Sequence, residues 1–173
     1  MLPTKILSAL VLAITPVLAD GTAIVDSLST LAASAADLNN TLTGWDGNLL
    51  GTLPIVIESG KLLANTNKAT TVAKDSANLT ALEALGVAIS IQGLIKDMNN
   101  TLTSIVDAKP KFDHLLLSSV ILLNLVLEKH ATDDFSAAVI AKVPSELAGA
   151  ATEIVAQADA LFDTAIDAYD GPF

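Results

Sequence analysis

Apolar positions in this chain recur every three or four residues, the period of amphipathic helices. Ile24, Leu28, Leu31, Ala35, Leu38, Leu42 and Trp45 form one such seam and predict a first long helix. The glycines of GWDGN at 44–48 end it. A second helix is predicted from about Leu49, because Pro54 is tolerated only near a first turn. Leu53, Ile57 and Leu63 carry its apolar face, and the pattern fades in NTNKATTVAKDSANLT. A third helix, Ala81 to Ala108, uses Leu82, Leu85, Ile89, Ile95, Met98, Leu102 and Ile105, and Pro110 ends it.

The fourth predicted helix is the run HLLLSSVILLNLVLEKH, residues 114–130. Ten Leu, Ile or Val residues stand between its histidines. At about 100° per residue, Leu116, Leu117, Leu122 and Leu125 fall in four different quadrants, so the helix has no polar face. The run is also shorter than the roughly 20 apolar residues that span a bilayer. TDD at 132–134 is expected to cap a short following segment, FSAAVIAK. Pro144 then starts a last helix with the seam Leu147, Ala151, Ile154, Ala158, Leu161, Ala165 and Tyr169. No stretch alternates as a strand would. The expected fold is all-α, an antiparallel bundle of about five helices.

Composition restricts what such a bundle does. MLPTKILSALVLAITPVLA, residues 1–19, has one early cation, an apolar centre and a small-residue end, the pattern of a secretory signal peptide cleaved before Asp20. An uncleaved anchor is the alternative, and its apolar core is short for that role. Residues 20–173 then form one domain. The C-terminal AIDAYDGPF carries no apolar tail of the kind a lipid anchor needs. A secreted location, extracellular or in a cell wall, follows as the expectation.

The formal charge of the whole chain is −10, with no arginine. A nucleic-acid partner is therefore not expected, since phosphate recognition needs a basic face. No transmembrane segment is expected either. Cysteine is absent, so the fold rests on its core, which is nearly all aliphatic: there are one Trp, one Tyr and four Phe. Sequons at Asn39, Asn78 and Asn99 are candidate glycan acceptors in a secreted chain. Two of them sit in a short repeat, DLNNTLT at 37–43 and DMNNTLT at 97–103, which reads as chance or as shared helix-end chemistry.

Candidate catalytic chemistry is thin. His114 and Ser118 lie four apart on one helix face, but Asp113 points about 100° away from His114 and the strand-turn serine motif is absent. No zinc or calcium pattern occurs, and Asp133 with Asp134 reads as a helix cap. No catalytic residue, metal or cofactor is expected, and the chain is read as a binding protein. The apolar run itself remains: either a packed central helix, or a wall of a cavity. Its thirteen residues from 115 to 127 would span roughly 20 Å as a helix, similar to a long extended acyl chain.

Four segments occur in an order that resembles one family: AKPKFD (108–113), LSSVILLNL (117–125), TDDFSAAVIAKVP (132–144) and DALFDTAIDAY (159–169). They are similar to the hydrophobic surface-binding protein A family of filamentous fungi, which includes cell-wall galactomannoproteins. The likeness is strongest over the C-terminal 65 or so residues and weaker, though compatible in helix pattern, from 20 to 107. It implies a secreted helical domain that adsorbs to hydrophobic surfaces or encloses long-chain fatty acids, in some members beside a secreted hydrolase. A structural wall mannoprotein with a solid core is the other reading.

This chain departs from relatives in having Leu115, Leu116, Leu123, Val126 and Leu127 where they place polar residues, and in lacking a Ser/Thr-rich tail. The lipid-contacting residues expected on the fourth helix are Leu116, Ser118, Ser119, Val120, Leu123 and Leu127. Ser118 and Ser119 are chosen because they interrupt the apolar run. Ile89 and Leu102 of the third helix and Leu161 of the last complete the set.

Overall fold

The computed structural model describes residues 19–171. The expected signal segment, but for its last residue, lies outside them. Among the described residues all regular structure is helical: α1 (Ala19–Thr43), α2 (Thr52–Asp75), α3 (Ala81–Asp107), a short α4 (Lys109–His114), α5 (Ser118–Ile140) and α6 (Ala148–Tyr169), with one 3₁₀ turn at Ser145–Leu147. None is long and apolar enough to cross a membrane.

The five long helices close a ring. Each packs on two neighbours, in the order α1, α2, α5, α6, α3 and back to α1. Consecutive helices in the chain run in opposite directions, yet three contacts in the ring join parallel helices. Thr101 Oγ1 donates to the Ala35 carbonyl at 2.9 Å and Ser104 Oγ to Asn39 Oδ1 at 2.6 Å, which sets α3 along α1. Ser59 Oγ donates to Asn124 Oδ1 at 3.3 Å between α2 and α5, and Tyr169 Oη donates to the Ile105 carbonyl at 2.7 Å between α6 and α3.

A closed pentagon leaves space on its axis. Helix axes about 9 Å apart stand roughly 8 Å from the centre of such a ring. With side chains a helix has a radius of about 5.5 Å, so a gap of about 4 Å remains unless large residues fill it. The residues present do so at two levels. One core cluster includes Ile24, Leu28, Leu31, Val87 and Phe135, and the other Leu42, Trp45, Phe112, Leu125, Phe162 and Tyr169.

The seam of α1 is buried throughout, from Ile24 to Trp45. Trp45 has left the helix but seals its end, stacking on Phe112 with ring centroids 4.5 Å apart. Gly51 backs this ring so closely that a Cβ would lie 2.6 Å from Trp45 Cδ1. Gly47 has φ 92° and turns the loop where a side chain would be strained.

Three expectations change. α2 does not fade in the polar run but continues to Asp75, burying Thr66, Ala69, Thr70 and Ala73. These small residues let α2 lie close to α1, and the threonine hydroxyls bond back to carbonyls one turn earlier. Leu53 and Ile57, expected to face inward, are exposed, as are Leu82, Leu85 and Ile89 of α3. The apolar run is neither one helix nor a central one. It breaks at Leu116, and the helix that follows passes through TDD without a new cap as far as Ile140.

Candidate functional site

Among the described residues two apolar chambers lie inside the ring. The lower, of about 180 Å³, is walled by Ala35, Leu38 and Leu42 of α1, Ile55, Ser59 and Leu62 of α2, Thr101, Leu102 and Ile105 of α3, and Ile121, Asn124, Leu125 and Glu128 of α5. Leu49, Val56 and Val120 also line it although exposed to solvent, so its mouth opens between the starts of α2 and α5. The upper chamber, about 470 Å³, lies among α3, α5 and α6, with Phe135, Val139, Ile154 and Ala158 in its wall. Met98 borders both. The upper volume falls in the range of small-molecule sites, roughly 300–1,000 Å³.

Among the described residues the lower chamber holds one ionisable group, Glu128. It is 7% exposed, and its Oε1 has no hydrogen-bond partner. Burial pushes its carboxyl up to about 8. At neutral pH this acid is mostly protonated, a neutral donor and acceptor among aliphatic walls.

Of the residues expected from sequence to contact lipid, Leu102 and Val120 line the lower chamber. Leu161 is half-buried against the lower core. Ile89 is 66% exposed, Leu123 59%, and Leu127 also faces solvent. Leu116 is 90% exposed at the turn between α4 and α5, with φ 58°. Ser119 is exposed on the first turn of α5. Ser118 is buried, and its hydroxyl donates to Asp113. That carboxylate also takes a 2.8 Å ion pair from Lys109, and Lys109 and Ser118 together hold it below the usual carboxylate range.

Sequence reasoning missed Glu128. A signal was present, because it stands three residues after Leu125 and seven after Ile121 and therefore shares their inward face. The candidate glycan acceptors differ in setting: Asn78 and Asn99 are exposed, whereas Asn39 is half-buried and engaged by Ser104.

The chain is thus of the class of closed helical rings built around apolar chambers and opened at an apolar mouth. The hydrophobic surface binding protein A family matches residues 21–141, and the chain belongs to it. Cell wall mannoprotein 1 of Aspergillus fumigatus is 24% identical over 147 residues, which cover 84% of this chain and 50% of that protein. The chain thus spans about half the length of this curated relative. Among solved structures, AFMP4P in complex with palmitic acid superposes with a TM-score of 0.84 at 25% identity, covering 87% of this chain and 99% of that one. Ligand binding domain 1 of the Penicillium marneffei MP1 protein, complexed with arachidonic acids, has a TM-score of 0.83 at 19% identity, with 88% and 99% covered.

Proposed function

We propose that this protein is a secreted, non-enzymatic carrier that holds a long-chain fatty acid inside its helical ring. The observation that carries the reading is the pair of aliphatic chambers meeting at Met98, which together reach from the lower mouth past the middle of the bundle. Each methylene removed from water contributes about 0.8 kcal/mol, less what is lost in chain freedom and imperfect packing. The palmitic-acid complex of a structure with the same fold supports this ligand class. The carrier reading without catalysis is supported by Ser118, whose hydroxyl is engaged by Asp113, and by His114, which is exposed. Secretion to the medium or the cell wall is supported by the mannoprotein relative. Asn78 and Asn99 are the accessible glycan positions.

The deciding experiment is organic extraction of the purified secreted protein, read by mass spectrometry, followed by uptake of a fluorescent fatty acid by the delipidated chain. A long-chain acid in the extract and saturable uptake are expected. An empty extract together with no uptake would leave the solid-core wall protein as the better reading.

A second role, adsorption to apolar surfaces, is favoured by a separate observation. Leu50, Leu53 and Ile57 of the α2 region and Leu116, Leu123 and Leu127 near the start of α5 are exposed on neighbouring elements around the lower mouth. Replacing Leu53, Leu116 and Leu123 together by Ser is expected to reduce retention on alkyl-coated beads while fatty-acid uptake continues. Unchanged retention would remove this role from that face.

A further inference from the structure

A fatty acid brings a carboxyl group into a chamber that, among the described residues, has no cation to receive it. Of the described residues no lysine or histidine lines the lower chamber, and its uncharged polar residues are Thr52, Ser59, Thr101 and Asn124. The three hydroxyls are already used: Thr52 donates to the Leu49 carbonyl, Thr101 to the Ala35 carbonyl, and Ser59 to Asn124. Glu128 is different. It is more than nine-tenths buried, lines the chamber, and has an oxygen without a partner.

We infer that Glu128, carrying its proton, receives the carboxyl end of the ligand, the two acids sharing a proton inside the ring. This rests on the lower chamber being a fatty-acid site. A shared proton leaves the pair with no more than one negative charge, and that charge is spread over both groups. No cation is then required. The placement also suits a long chain, because Glu128 stands one helical turn below Thr132 of the upper chamber, so a head held there leaves either chamber open to the tail.

Ionisation of Glu128 reverses the contact, since two carboxylates repel. No ionisable side chain of α1, α2, α3, α4 or α6 lines the chamber with it. Lys129, next on α5, is turned to Asp133 on its own helix and to Asp159 and Asp163 of α6, at 3.6 to 3.8 Å. Burial alone raises the Glu128 carboxyl, to about 8. The ligand is therefore held in acid and neutral medium and released in alkaline medium.

The test uses the delipidated full chain, palmitic acid and methyl palmitate, titrated by displacement of a fluorescent fatty acid. At about pH 6 the wild type is expected to favour the acid over the ester by about tenfold, and to lose that preference near pH 9.5. Glu128→Gln keeps a donor but cannot ionise. It should retain acid binding at both pH values, whereas Glu128→Leu should bind acid and ester almost equally. Wild-type preference in the leucine variant, or undiminished alkaline release in the glutamine variant, overturns the assignment. Should the leucine variant not fold, the glutamine variant decides alone. If the wild type binds neither ligand at any pH, the fatty-acid reading itself fails, which is a different result.

Discussion

Glu128 has a consequence for stability as well as for binding. Its carboxyl has an ordinary value of 4.5 and is pushed up to about 8 in the fold by burial. The folded state therefore binds more protons than the unfolded chain between those values, and stability falls as pH rises through that window. The slope is about 1.4 kcal/mol per pH unit for one such group. Below pH 4.5 the acid is protonated in both states and costs nothing by this route. We expect the melting temperature of the delipidated protein to fall from about pH 5 to about pH 8, and to fall less in Glu128→Gln. Parallel pH profiles for the two proteins would show that the buried acid is not the source of the slope. Bound fatty acid should raise the wild-type curve and carry its fall to higher pH, because a ligand that pairs only with the protonated acid holds that proton more tightly.

The break between α4 and α5 belongs to the scale of elements. The Leu117 amide donates to the Phe112 carbonyl at 2.9 Å and the Leu116 amide to the Asp113 carbonyl at 3.0 Å. This pair of bonds ends α4 with Leu116 in the left-handed position that glycine ordinarily takes. A leucine there is strained by roughly 1–2 kcal/mol, and exposure means that burial does not offset it. Leu116→Gly should stabilise the fold by about 0.5–1 kcal/mol after the flexibility it adds to the unfolded chain. Denaturant titration measures this, and a loss of stability would show that the side chain is held by contacts made in solution.

Why this break was hidden in the sequence is now plain. Neither glycine nor proline marks it, and the alternative, a helix carried on through Ser118, has the same apolar pattern. The α1 seam was legible because large residues make all of it but Ala35. The buried face of α2 was not, because Ala and Thr carry most of it while Leu53 and Ile57 point outward. Of the residues expected to contact lipid, Leu102 could be placed in the wall because it follows the α3 seam, whereas Val120 lies in a run whose pattern gives no inward face. Leu123 could not be separated from Ile121 by composition, and only the position of neighbouring helices sets one inward and the other outward.

At the scale of the molecule, the ring decides which substitutions reach the ligand. Ile121→Trp puts bulk into the lower chamber and is expected to reduce fatty-acid uptake several-fold with helical content unchanged; Leu123→Trp, on the outer face, should leave uptake intact. Equal loss in both variants would place the ligand outside the ring. The parallel contacts have a further result. The hydrogen bonds that join α1 to α3, α2 to α5 and α3 to α6 link residues 64 to 66 apart in the chain. A bundle of sequential hairpins can assemble from local contacts, whereas each of these pairs must first close a long loop. Refolding should accordingly be slow for an all-helical domain of this size. α6 comes last in the chain and completes the circle by reaching both α5 and α3. If it docks after the rate-limiting step, Tyr169→Phe, which loses the bond to Ile105, should accelerate unfolding about fivefold and leave the refolding rate almost unchanged. Stopped-flow measurements separate the two rates, and a slowed refolding rate would instead put closure of the ring at the barrier itself.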